Sequence, residues 1–117
     1  ALGFTPRCDI EGPVDTFVAE PVRSHLLLCL REALSNTARH AQASTVAVHV
    51  RADADHVLLE VTDDGVGYRA FADRASSGLD NMRVRASALA GTFSIASRLE
   101  GGTVVTWDVP LGDPLRR

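Results

Sequence analysis

The 117-residue chain has only two cysteines, Cys8 and Cys29, and neither stands at metal-ligand spacing from the other. That argues against a disulfide-built scaffold and a cysteine-held metal, and points to two free thiols in a reducing compartment. No apolar run approaches the ~20 residues of a membrane-spanning helix, and no signal peptide is visible. A cytoplasmic domain without direct membrane contact is expected. Basic charge is not in excess, since 12 Lys and Arg face 15 Asp and Glu for a net charge of −3. A nucleic-acid surface would leave a basic patch as its footprint, so nucleic acid is not an expected partner. Internal repeats, linkers and low-complexity tracts are also missing, which makes residues 1–117 a single expected domain. The chain opens on Ala-Leu-Gly-Phe without an initiator methionine, which suggests a piece of something larger.

What is present centres on one helix. Val22, Leu26, Leu30, Ala33, Leu34, Thr37 and Ala41 recur at the i, i+3, i+4 spacing of a buried stripe. Glu32 and Asn36 fall one turn apart on the edge of that stripe, with Arg39 and His40 near the same edge one turn further on. A carboxylate, an amide and a cation are thereby stacked where a core helix meets its neighbour. Asn supports a helix less well than Gln or Lys, so it is a poor choice for a face that meets only water. Taken alone, the cluster also fits a solvated flank with a chance grouping of polar residues.

Around this helix the chain alternates between strand and turn signals. Leu2, Phe4, Cys8 and Ile10 suggest a first strand, placed at an edge by Pro6. Glu11 to Asp15 reads as a turn, and Glu20-Pro21 opens the long helix. Val46, Val48 and Val50, then Val57, Leu59 and Val61, form two alternating strands joined by the polar turn Asp53–Asp55, an antiparallel hairpin. The second strand runs into Asp63-Asp64-Gly65-Val66-Gly67, where two glycines let the backbone approach a bound group and Asp63 offers an acceptor to an exocyclic amine. Asp-Gly is also ordinary turn chemistry. Tyr68 to Ser77 lacks a period and is expected to be a mobile loop. Helical spacing resumes through Leu79, Met82, Ala86 and Leu89, capped by Ser76 or Ser77 and ended by Gly91. Gly78 at the start of that helix would pair free N–H groups with a positive dipole end, a seat for phosphate. A last hairpin follows, with Phe93, Ile95 and Leu99 before the Gly101-Gly102 turn and Val105, Trp107 and Val109 after it. Residues 112–117 read as a frayed tail.

Strands that pair as hairpins leave one sheet face for the helices, so the expected fold class is α/β: a two-layer sandwich with a mixed, mostly antiparallel sheet. A Rossmann fold would need helical crossovers between its strands and a glycine fingerprint between the first strand and helix, and neither occurs.

The series E-A-L-S-N-T-A-R-H-A, D-D-G-V-G, S-G-L-D-N-M-R-V-R-A and G-G-T-V-V-T-W resembles the ATP-binding catalytic domain of sensor histidine kinases, within the superfamily shared with gyrase, the Hsp90 chaperones and the MutL repair proteins. More narrowly it is similar to the nitrate-sensor and DesK-like branch, and to haem-containing GAF sensor kinases of the DevS/DosT type. The likeness runs from about Ala19 to Leu111. It implies the Bergerat form of the two-layer fold, with ATP and Mg²⁺ as cofactors. Asn36 would hold Mg²⁺ through its amide oxygen, and Mg²⁺ asks for few protein ligands when phosphates and water supply the rest. Glu32 would be the base that polarises the attacking group. Arg39 and His40 would lie near the phosphates, with Arg39 better suited by its fork of donors. Asp63 would read the adenine amino group, Gly65 and Gly67 would make room for the base, Gly78 and Leu79 would offer N–H groups to the phosphates, and Thr103 would support the adenine pocket.

Two departures from the family pattern stand out. Ser76 occupies the place of the first glycine before the second helix, and the lid from Gly67 to Gly78 is short. Loose nucleotide binding and a lid disordered without ATP are expected. None of the four histidines, His25, His40, His49 and His56, is followed by the H-D-x-x-Q pattern of a phosphoacceptor. The resemblance therefore implies a protein-histidine kinase catalytic domain that does not autophosphorylate efficiently by itself. It would pass the γ-phosphoryl group to a histidine on the dimerisation domain of the same protein, and from there to a response regulator. An ATPase or anti-sigma-type protein kinase on the same fold, and a non-catalytic interaction module with a decayed site, are the alternatives.

Overall fold

The computed structural model describes residues 6–41, 43–67 and 72–111. The expected strand positions Leu2 and Phe4, the lid residues Tyr68 to Phe71 and the tail 112–117 lie outside the described residues, as do the side chains of His40, Ser76 and Ser77.

Among the described residues five strands form one sheet: β1 (Arg7–Glu11), β2 (Val46–Ala52), β3 (His56–Asp63), β4 (Thr92–Ser97) and β5 (Thr103–Pro110). Their order is β1-β2-β3-β5-β4, with β1 parallel to β2 and every other pair antiparallel. The mixed, mostly antiparallel two-layer expectation is met. The single parallel pair follows from connectivity. A short helix α1 (Val14–Phe17) and the long helix α2 (Val22–Asn36) lie between β1 and β2 and carry the chain back to the starting end of the sheet. The turn at Asp53 is closed by its own carboxylate, whose Oδ1 accepts the N–H groups of Asp55 and His56 at 2.8 and 2.9 Å.

Alternation decides which face is covered. On β3 and β5, Val57, Leu59, Val61, Val105, Trp107 and Val109 are buried against the helices while the residues between them are half-exposed. Leu26, Cys29 and Ala33 of α2, with Leu79, Met82 and Ala86 of α3 (Ala72–Ala88), close the core from above. Trp107 is its largest fully buried side chain. Truncating such an aromatic costs about 3–5 kcal/mol. Cys29 is a buried free thiol whose pKa burial pushes up to about 12, and Cys8 is an exposed free thiol on β1.

Leu99, expected on the fourth strand, lies past its end at Ser97 and is fully exposed. The expected turn Glu11–Asp15 holds the last residue of β1 and the start of α1. Three further boundaries differ from the sequence expectations, each for a local reason. The α-helix expected to run to Ala41 stops at Asn36, and Thr37–Ala41 forms a π-helical turn. Thr37 Oγ1 donates to the Ala33 carbonyl at 3.1 Å, a back-bond that competes with the helix ladder. The second helix does not wait for Ser76 or Ser77. It begins at Ala72, within a stretch whose alanines and Arg74 favour helix, so most of the expected loop Tyr68–Ser77 is helical. Ala90, not Gly91, takes the left-handed position that ends α3 (φ 61), while Gly91 donates to the Ala86 carbonyl at 2.8 Å. Glycine at 91 serves a close approach instead, because a Cβ there would strike Asp108 and Val109 of β5.

Candidate nucleotide site

Glu32 and Asn36 occupy the last turns of α2, and only residues 37–45 separate that end from the start of β2. They therefore stand over the sheet end where β3 finishes at Asp63 and β5 begins at Thr103. Asn36 is buried, and its Nδ2 has no hydrogen-bond partner among the described residues. A buried amide left without a partner costs free energy, so its presence favours a ligand that completes it. Gly78 of α3 passes directly above the pair. A Cβ there would lie 2.5 Å from Glu32 Oε2 and 3.5 Å from both amide atoms of Asn36. Gly78 thus lets one helix backbone close over the polar edge of the other. The expected N–H donation from Gly78 and Leu79 needs correction: both sit inside α3, beyond the open N–H groups of its first turn, and Leu79 packs into the core.

Glu32 also forms one wall of a cleft of about 290 Å³ between α2 and α3, shared with Leu28, Arg31, Ser35, Asn81 and Arg85. Arg85 Nη1 meets His25 Nδ1 at 3.1 Å, tying the two helices together beside that cleft. Arg39 is exposed at the π-helical turn. Among the described residues no group of three or more His, Cys, Asp or Glu could cage a metal. The Asn36 amide oxygen is of the hard type that Mg²⁺ takes alongside a ligand's own phosphates, while its unpartnered Nδ2 is a donor suited to a phosphate oxygen and not to a cation.

The second half of the site is built on strand ends. Asp63 is 5% exposed, faces the helix side and is paired in register with Thr103. Its Oδ1 accepts the N–H of Gly65 at 2.8 Å. Burial pushes the Asp63 pKa up, opposed by hydrogen bonds from the Gly65 and Thr103 backbones. Thr103 is 2% exposed, and its Oγ1 is likewise without a partner among the described residues. Gly67 takes φ +91 and is buried against Ser97 Oγ and the Gly102 carbonyl. Asp64 faces away. Its Oδ1 accepts the Ser44 and Thr45 N–H groups at 2.8 Å each, which pins the loop to the start of β2 and lowers its pKa.

A sequence profile of the histidine kinase-, DNA gyrase B- and HSP90-like ATPases matches residues 22–113. The chain belongs to this ATPase family. Among curated relatives, the sensor histidine kinase LiaS of Bacillus subtilis is 37% identical over 105 residues, covering 88% of this chain and 29% of its own length. The sensor protein VraS of Staphylococcus aureus is 36% identical over 98 residues, covering 83% of this chain and 28% of its own. The chain thus spans under a third of these relatives. Of solved structures, full-length ShkA in complex with AMPPNP superposes with a TM-score of 0.70 at 21% identity, over 89% of this chain and 25% of that one. The Acinetobacter baumannii histidine kinase AdeS gives 0.69 at 18% identity, over 92% and 54%. At these identities the likeness shows the fold alone. In this ATPase domain, no helix among the described residues is long and apolar enough to cross a membrane.

Glu32, Asn36 and Gly78 are brought together, as are Asp63, Gly65, Gly67 and Thr103. Sequence reasoning missed Arg98, whose Nη1 donates to the Asp63 carbonyl at 3.2 Å. The available signal was its place just before the Gly101-Gly102 turn, at the end of a strand expected to lie beside the one starting at Thr103.

Proposed function

We propose that this domain binds Mg-ATP and donates its γ-phosphoryl group to a histidine on a dimerisation domain of the same protein, feeding a response regulator in a two-component phosphorelay. The observation that carries the reading concerns the four buried polar side-chain atoms without a partner among the described residues. Two of them, Asn36 Nδ2 and Thr103 Oγ1, belong to residues of the expected site; the other two are His49 Nε2 and Trp107 Nε1. Such atoms are expected where a polar ligand completes the structure.

Asp63 would accept from the adenine amino group, with Gly65 holding its carboxylate in place and Thr103 lending a hydroxyl. Gly67, in a backbone conformation closed to most residues, would keep the loop flat against the base. Asn36 would hold Mg²⁺ through its amide oxygen, and the ion when bound supplies charge neutralisation along the phosphates. Arg39 would add a guanidinium to the phosphate oxygens. Glu32, half-buried beside the open α2–α3 cleft, would polarise the incoming imidazole of the acceptor. Catalysis of this kind is mostly positioning and charge compensation. His25 and His56 each engage a partner, Arg85 and Asp108, and His49 lies 3.1 Å from the Glu11 carboxylate, which supports their reading as non-acceptors.

Fluorescent-nucleotide titration with and without Mg²⁺ tests the proposal. Saturable binding that strengthens with Mg²⁺ is expected from the native domain, and that enhancement should be lost in Asn36→Asp. Absence of saturable binding, or identical curves for the two proteins, would contradict it.

A further inference from the structure

The sheet end that carries Asp63 has a second face. Alternation sends the side chains of Asp63 and Thr103 toward the helices, and those of Ala47 and Thr62 to the other side. There, behind the nucleotide site, lies an open cleft of about 500 Å³, a size that takes a small molecule. Its floor is one rung of the sheet, in which Arg7 of β1, Ala47 of β2 and Thr62 of β3 stand side by side. Ala47 is small, so the rung dips between the arginine and the threonine. Arg98 arrives from the other edge. It follows the end of β4, and its Nη1 donates to the Asp63 carbonyl at 3.2 Å, which brings the guanidinium past β5 to the end of β3. Ser44 adds a hydroxyl to the lining.

Two guanidinium groups thus bracket one cleft, in a chain whose net charge is −3. Among the described residues Asp63 is the one carboxylate in the lining, and its side chain faces the helix layer, where Oδ1 accepts the Gly65 N–H. The carboxylates that pair with the two arginines stand outside the lining. Arg7 Nε lies 3.2 Å from Asp9 and Arg98 Nη2 lies 2.8 Å from Glu100, and both carboxylates are largely exposed. Exposed pairs of this kind hold weakly, so a better-placed anion can displace them. Each arginine has five N–H donors, more than these contacts use. We propose that this cleft is a second ligand site, taking a small phosphate monoester between Arg7 and Arg98 while a nucleotide occupies the helix side. The planar fork of each guanidinium matches phosphate oxygens in pairs. A phosphate presents three such oxygens, enough for both arginines and for a hydroxyl of Ser44 or Thr62. The dip over Ala47 leaves room for the organic part. The site stands on its own geometry and holds whether or not the helix side binds ATP.

Calorimetric titration with inorganic phosphate and with glycerol 3-phosphate, with and without saturating Mg-AMPPNP, tests the site. Both probes should bind saturably, with the same affinity whether or not the nucleotide is present. Arg7→Ala should weaken them by roughly tenfold, the scale of one charge-assisted hydrogen bond. Arg7 is exposed on an edge strand, so this variant should fold as the native domain does. Glu100→Gln should tighten binding a few-fold, because a competing carboxylate is gone. Arg51→Ala removes the same charge from an exposed position of β2 outside the cleft and should change nothing. Absence of saturable binding for both probes would overturn the proposal. So would equal losses in Arg7→Ala and Arg51→Ala, which mark diffuse attraction. Binding abolished by Mg-AMPPNP would place the anion in the nucleotide's own phosphate site and overturn it too. If Mg-AMPPNP fails to bind while the Arg7 and Glu100 variants behave as expected, the nucleotide reading falls and the second site stands.

Discussion

The two halves of the site differ in how much of their hydrogen bonding is complete without a ligand. At the strand ends, Asp63 is already held by the Gly65 N–H and backed by Arg98 through its carbonyl. At the helix edge, the Asn36 amide nitrogen is buried without a partner, and Glu32 lies beneath a bare stretch of helix backbone at Gly78. One half is preorganised apart from the buried Thr103 hydroxyl, and costs little to engage. The other is left incomplete by the fold and gains most when a charged ligand arrives. A nucleotide whose base is neutral and whose phosphates carry the charge fits that division.

The sharpest way to break the comparison is Asp63→Ala, which removes the preorganised acceptor. Binding of ATP, ADP and adenosine should all weaken, by roughly tenfold to a hundredfold if a charge-assisted hydrogen bond of ~1.5–3 kcal/mol is lost. A fluorescent adenine nucleotide reports it, and loss confined to ATP would place Asp63 at the wrong end of the ligand. Asn36→Ala should do the reverse. Adenosine should bind as before, while the Mg²⁺-dependent gain for ATP falls by about tenfold, the scale of one lost contact to a charged group. Equal losses for adenosine and Mg-ATP would merge the two halves into one.

A smaller effect separates function from stability. Because burial raises the Asp63 pKa, the folded state holds that proton more tightly than the unfolded chain does. Stability then declines as pH rises from the ordinary carboxylate range through the raised folded value, and the full cost of the buried charge is present above it. Asp63→Asn should therefore raise the thermal midpoint at neutral pH, with the gain vanishing in acid, while adenine binding is lost. A midpoint unchanged or lowered at pH 7 counts against a buried charge there. The gentlest test is Gly78→Ala. Replacing a glycine inside α3 should stabilise the helix by ~0.4–1 kcal/mol if the Glu32 carboxylate swings aside, yet Mg-ATP affinity should drop a few-fold because Glu32 is displaced from its place beneath α3. Thermal unfolding and titration of the same variant should move in opposite directions.

These contrasts also mark what the sequence could and could not disclose. Periodicity located all five strands and both long helices, because valine alternation and the α2 stripe each repeat several times. Asp63, Gly65 and Gly67 were legible because turn glycines beside a strand-end carboxylate form a local pattern. The start of α3 was not, since alanines and polar residues between Ala72 and Ser77 carry no apolar period even where they are helical. Arg98 was hidden for a different reason. Its contact with Asp63 spans 35 residues of sequence and depends on β5 lying between β3 and β4, an order that local patterns do not encode.

The central claim is that the strand-end half and the helix-edge half grip one molecule. The most direct measurement is an NMR titration of the labelled domain with Mg-AMPPNP, following the backbone amides of Gly65, Gly67 and Thr103 together with the Asn36 side-chain amide. The account predicts that all four signals shift along one binding curve, and that adenosine alone moves only the first three. Signals that saturate at different concentrations, or an Asn36 amide that stays still when Mg-AMPPNP is added, would contradict it.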